Sequence, residues 1–187
     1  SPNVNRIWLE RVRLTPNLSN SGGVPVNLLT SDPDFVEGVH YGPGSPNTPY
    51  TGVQGVIPQN TLVRSYMLHS YRSIATTQLT GTLEFEFPII GIIALNTRRS
   101  GSYRWLRGTD SDFGLLPTRT YPIPTSSYRG TDSFQPNDYV YIPNSDLKTL
   151  VFSLQATAGS YDELRIFTGT PEPAELILFG TAAAVLL

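Results

Sequence analysis

Residues 76–95 read TTQLTGTLEFEFPIIGIIAL, and this stretch decides the fold class. Its first half alternates apolar and polar side chains, which is the pattern of a strand with one buried face. The apolar set, expected to face inward, is Leu79, Leu83, Phe85 and Phe87. The polar set, expected to face outward, is Thr80, Thr82, Glu84 and Glu86. After Pro88, residues 89–95 form a continuous apolar run that predicts a strand buried on both faces.

Similar β patterns recur along the chain, at residues 7–14, 62–71, 139–142, 150–156 and 164–168. The stretches 41–49 and 116–124 are rich in Pro and are interpreted as loops or edge segments. No segment before residue 174 carries apolar residues at helical spacing over a useful length. We therefore predict one all-β domain over residues 1–169, an antiparallel β-sandwich of jelly-roll type.

Composition agrees with a packed domain and excludes some functions. Hydrophobic residues make up 39% of the chain and charged residues only 15%, with a formal net charge of −2. Nucleic-acid binding needs clustered Lys and Arg, so nucleic acid is not expected as a partner. The absence of Cys excludes disulfides, thiolate metal sites and Cys nucleophiles.

Catalytic patterns are weak, and we predict that the protein is not an enzyme. Glu84 and Glu86 share a strand face at a spacing of about 7 Å, but this is also what a solvated strand face normally carries. The two histidines, His40 and His69, show no metal-ligand spacing relative to other ligand residues. Asp162 and Arg165 are expected to form a structural pair near the last strand.

Calcium is the one ion for which the sequence offers ligands, because hard cations take several oxygen atoms. The candidate ligands are Asp32, Asp34 and Glu37 in one loop and Asp110 and Asp112 in another. The alternative is that these residues stabilise turns through their own backbone hydrogen bonds. No other cofactor is expected.

Tyrosines in the Pro/Gly loops are candidates for stacking on sugars or on a neighbouring subunit. They are Tyr41, Tyr50, Tyr103, Tyr121 and Tyr128. The alternative is that these rings cap the core of the sandwich.

The last residues, 170–187, depart from the β pattern and form a hydrophobic tail. As a helix, residues 174–187 would reach about 21 Å, which is short of the roughly 30 Å of bilayer hydrocarbon. We expect the tail to pack against a neighbouring copy or to anchor the protein at a membrane. The residues expected to do so are Leu176, Ile177, Phe179, Val185 and Leu186.

The triplet Pro171, Glu172, Pro173 and the apolar stretch behind it resemble the PEP-CTERM sorting signal of exported bacterial proteins. The basic cluster that completes the signal is not present. Segments at 63–70, 79–87, 90–93, 128–132 and 162–168 are similar in order to a recurrent body of PEP-CTERM proteins, so the resemblance covers about residues 60–187. It implies export, recognition by an exosortase and a secreted, cell-surface or extracellular location.

These observations lead to two main hypotheses about function, with a polysaccharide-active enzyme as a third. The first is a non-enzymatic structural protein of the cell surface or extracellular matrix, which assembles with copies of itself into filaments or sheets. The second is a carbohydrate-binding β-sandwich module with calcium-stabilised loops, which binds exopolysaccharide.

Overall fold

The computed structural model describes residues 4–18, 21–41, 53–71, 77–94, 109, 112–113, 138–156 and 161–170. Within these residues there are ten β-strands, and every pairing between them is antiparallel. The strands are β1 (Val4–Leu14), β2 (Gly23–Val26), β3 (Leu28–Leu29), β4 (Gly55–Pro58), β5 (Leu62–Tyr71), β6 (Thr77–Glu84), β7 (Ile89–Ile93), β8 (Tyr139–Tyr141), β9 (Thr149–Ala156) and β10 (Tyr161–Thr168). The all-β prediction is confirmed.

A five-stranded sheet in the order β1-β5-β10-β7-β3 lies at the centre of the described structure. The long strand β5 pairs with β1 on one side and with β10 on the other, so that Leu68 lies opposite both Ile7 and Leu164. The pairing of β1 with β5 shifts between Leu9 and Arg11, which leaves Glu10 in a bulge. In β7, Ile92 and Ile93 are both fully buried, as the continuous apolar run predicted.

A three-stranded sheet in the order β6-β9-β8 carries the alternating strand of the sequence. The predicted register is confirmed for Leu79 and Leu83, which pack against the core, for Phe85, which is 9% exposed, and for the outward-facing polar set. Phe87 lies beyond the strand and is half-buried outside both apolar clusters, with the Arg64 guanidinium 4.4 Å from its ring centroid. Gly81 is required here because a Cβ at this position would lie 2.8 Å from Cζ of Phe152. The strand ends at Glu84, three residues earlier than predicted.

A two-stranded sheet of β2 and β4 covers part of the remaining face. Val24 lies opposite Ile57, and both side chains are buried. The sequence did not predict these strands, because each has only four residues and contains a proline, Pro25 in β2 and Pro58 in β4.

Apolar side chains fill both faces of the five-stranded sheet. One cluster joins that sheet to the three-stranded sheet and includes Leu68, Ile92, Ile166, Val140, Leu150 and Phe152. The other joins it to the two-stranded sheet and includes Val63, Met67, Phe167, Val24, Ile57 and Phe113. The architecture is therefore sandwich-like, with β5, β7 and β10 of the central sheet packed between two layers.

Candidate interaction surfaces

A buried ion pair joins the edge strand β1 to β10 across β5. The Arg165 guanidinium donates from Nε to Oε2 of Glu10 (2.8 Å) and from Nη2 to Oε1 (2.9 Å). Neither side chain has exposed surface. The hydroxyl of Ser65 donates to the same Glu10 carboxylate at 2.6 Å, and Nη1 of Arg165 donates to the hydroxyl of Thr109. Such two-bond geometry is the strong form of an Arg–carboxylate pair.

A second buried pair lies on the same face of the central sheet. His69 of β5 is directly opposite Glu163 of β10, and Nδ1 of His69 is 2.8 Å from Oε1 of Glu163. The two side chains are 2% and 1% exposed. Glu163 and Arg165 are two residues apart on one strand, so both pairs belong to one polar layer inside the molecule.

The side chains of this polar layer are buried, and their pairing holds β1, β5 and β10 together. Buried charges are costly unless they are paired and hydrogen-bonded, and here the bulge of β1 delivers Glu10 to Arg165. The carboxylate that Arg165 meets here is that of Glu10, whereas Asp162, three residues away on the same strand, points to the opposite face. Glu10 could not be singled out from the local pattern, because it stands among apolar and basic residues of an edge strand.

One face of β1 is apolar and exposed. On the face that does not carry Glu10, Leu9 is 47% exposed and Val12 is 52% exposed, with Ile7 and Leu14 similarly open. The bulge keeps all four on this face, because they lie opposite β5 residues of one parity. On the other face, Arg13 donates to the carbonyl oxygen of Asp112 at 2.7 Å. Single exposed apolar residues are normal, whereas an aligned row on an edge strand is a candidate contact surface.

Three aromatic rings form a stack on the outer face of the three-stranded sheet. Tyr139 and Tyr141 of β8 flank Val140, which is fully buried, so their side chains point outward. Tyr41 pairs with Val140 through two 2.8 Å backbone hydrogen bonds, and this places His40 beside the tyrosines. The His40 ring lies 4.4 Å from the Tyr139 centroid, with an interplanar angle of 3°, and 4.6 Å from the Tyr141 centroid.

Of the loop tyrosines, Tyr41 lies among the described residues, and it does not stack outward as the sugar-binding interpretation requires. Tyr41 is 9% exposed and packs in the core, with its ring centroid 5.6 Å from that of Phe35. The Tyr41 hydroxyl accepts a hydrogen bond from the backbone NH of Val36 at 2.6 Å. The other four loop tyrosines lie outside the described residues. Sequence reasoning missed Tyr139 and Tyr141 because they stand in a strand, where an alternating tyrosine is also typical of ordinary β structure.

Of the acidic residues proposed as calcium ligands, Asp32, Asp34 and Glu37 share one described loop, where Asp34 and Glu37 are exposed. Asp32 accepts the backbone NH of Asp34 at 2.8 Å, which stabilises a turn. Asp112 lies 3.4 Å from the Arg13 guanidinium, and Asp110 lies outside the described residues. Over the described ranges, no three His, Cys, Asp or Glu side chains come together in a way that could hold a metal ion.

The sorting triplet Pro171, Glu172, Pro173 and the apolar tail residues lie outside the described part of the chain. The two residues directly before the triplet are held to the β-domain. The backbone NH of Gly169 donates to the carbonyl oxygen of Pro88 at 2.9 Å, and the Thr170 hydroxyl donates to the carbonyl oxygen of Leu62 at 3.3 Å. Among the described residues there is no helix with the length and apolar character needed to cross a membrane.

No protein-family model, no curated protein and no solved structure matches the chain.

Proposed function

We propose that the protein is a non-enzymatic structural subunit of an exported, surface-associated assembly, and that copies of it associate through β1. The observation that carries this proposal is the exposed apolar row on a long edge strand. The resemblance of the tail to a sorting signal supports the exported location. The facing antiparallel sheets support a sandwich scaffold, and its jelly-roll type stays part of the proposal.

The free edge of β1 suits addition of another strand. Among the described strands, β5 is the one that pairs with β1, and no proline interrupts the eleven residues of β1. Edge strands are usually protected by proline, charge or shortness, since an open edge pairs with other chains. Here the arginines of β1, Arg6, Arg11 and Arg13, lie opposite the other set of β5 residues and so on the opposite face from the apolar row.

The row is self-complementary about a two-fold axis. If β1 pairs antiparallel with β1 of a second copy, Ile7 can lie opposite Leu14 and Leu9 opposite Val12. Both pairs occur in one register, because each is symmetric about the peptide bond between Glu10 and Arg11. Directly opposite residues share a face in antiparallel pairing, so the two rows become one continuous apolar strip. A symmetric dimer uses the same patch on both subunits.

The test replaces Leu9 and Val12 by Lys in the full chain and measures the mass in solution by light scattering over a range of protein concentrations. The expected result is a smaller mass than that of the unchanged protein at each concentration, because the β1 contact is lost when each new charge faces another across the two-fold axis. The unfolding midpoint should change little, since both side chains are about half exposed.

The matched control is Val36→Lys, which places the same charge at a position that is 54% exposed and lies outside β1. This variant should associate like the unchanged protein. A Leu9→Lys/Val12→Lys protein that reaches the same mass as the control at the same concentrations would overturn the proposal.

A further inference from the structure

The outer face of the three-stranded sheet combines stacked aromatic rings with uncharged hydroxyl and amide groups. Thr80 and Thr82 of β6 are exposed on this face, and the Gln78 amide donates to the hydroxyl of Ser153 at 2.7 Å. In the register of the sheet, Thr80, Ser153 and Tyr139 form one row across the three strands. Thr82, Val151 and Tyr141 form the next row.

We propose that this face binds a neutral polysaccharide. The aromatic stack of His40, Tyr139 and Tyr141 provides an apolar, electron-rich surface against which the C–H face of a sugar ring can pack. The threonine and glutamine side chains then exchange hydrogen bonds with the sugar hydroxyls. A protein-binding patch would be expected to have a more apolar centre than this face offers.

The dimensions favour a chain of several sugars over a single one. Neighbouring strands are about 4.8 Å apart, so the β6 threonines lie roughly 10 Å from the β8 tyrosines. Between these two groups, Ser153 is fully buried and Val151 is half-buried, so the accessible contacts are the threonines at one side and the aromatic stack at the other. A ligand that reaches both therefore has to be longer than one sugar.

The charge of the face selects the class of polysaccharide. Among the described outward residues of this sheet, Glu84 carries the one full charge, and it is negative. An acidic polysaccharide would need cationic partners and would be repelled by Glu84. A neutral glycan needs no cationic partner and is not repelled by Glu84, so we assign the ligand to that class.

The site is separate from the surface proposed for association. The aromatic stack belongs to the three-stranded sheet, whereas β1 is the edge of the five-stranded sheet. Glycan binding is therefore expected in the full chain whether or not copies associate through β1. The Leu9→Lys/Val12→Lys variant should retain polysaccharide binding.

The experiment is affinity electrophoresis of the full chain through gels that contain dextran, a mannan or a mixed-linkage β-glucan, with alginate as the acidic comparison. At least one neutral polymer should retard the protein, and alginate should not. Tyr139→Ala/Tyr141→Ala should weaken the retardation at least tenfold, and His40→Ala should weaken it severalfold. The control, Gln59→Ala at an exposed position between β4 and β5, should be retarded like the unchanged protein.

A second measurement does not depend on the stability of the tyrosine variant. In the unchanged protein, a neutral oligosaccharide cut from the retarding polymer should shift the NMR signals of His40, Thr80 and Thr82, while those of β1 stay in place. The proposal is overturned if no neutral polymer retards the protein, if the folded tyrosine variant is retarded equally, or if the shifts map elsewhere.

Discussion

Phe85 shows how a single residue of the alternating strand supports the core. Its ring meets the Tyr66 ring edge-on, with centroids 5.0 Å apart, and this contact links the end of β6 to β5 of the central sheet. Thr82, three residues earlier, points outward and is exposed. The two positions therefore allow a direct comparison of the inward and outward faces.

Replacement of Phe85 by Ala is expected to lower the free energy of unfolding by about 3–5 kcal/mol, because the ring leaves a cavity between packed sheets. Thr82→Ala should change it by only about 0.5 kcal/mol, as is usual for surface positions. Urea denaturation followed by tryptophan fluorescence measures both. A Phe85→Ala protein as stable as Thr82→Ala would mean that Phe85 does not contribute to the core.

At the scale of elements, local pattern was sufficient for strands with a clear period or a long apolar run. β5, β7 and β9 could be predicted because their apolar residues repeat over five or more positions. β2, β3 and β4 could not, because strands of two to four residues depend on tertiary pairing for their stability. The aromatic stack was also beyond sequence reasoning, since the pairing of Tyr41 with Val140 brings His40 to β8 from a hundred residues away.

The Glu10–Arg165 pair connects two strands that do not touch directly, and its removal is expected to loosen β1. Arg165→Met leaves the Glu10 carboxylate buried without its main partner, which should cost on the order of 3–5 kcal/mol of folding free energy. Glu10→Met/Arg165→Met removes both charges, so the double variant should recover a large part of that loss.

Chemical denaturation of Arg165→Met, of Glu10→Met and of the double variant gives the coupling energy between the two side chains directly. Hydrogen exchange of the β1 amides supplies an independent measurement, since these should exchange faster in Arg165→Met than in the double variant. Additive losses in the three proteins would show that the pair does not act as a unit.

At the scale of the whole molecule, one symmetric contact is not enough to build an extended assembly. A two-fold interface through β1 closes after two subunits, because each copy uses the same patch. Growth into a filament or sheet needs a second, different contact. The apolar tail, with Leu176, Ile177, Phe179, Val185 and Leu186, is the segment that the sequence offers for that contact.

Truncation after Thr170 tests this division of roles, and it keeps the hydrogen bonds of Gly169 to Pro88 and of Thr170 to Leu62. The truncated chain is expected to fold and to form dimers, while the full chain forms larger species, because the β1 surface is intact and the second contact is gone. Adding Leu9→Lys and Val12→Lys to the truncated chain should reduce it to a monomer. Sedimentation velocity with negative-stain microscopy distinguishes these states, and a truncated chain that assembles as far as the full chain would exclude the tail as a joint between subunits.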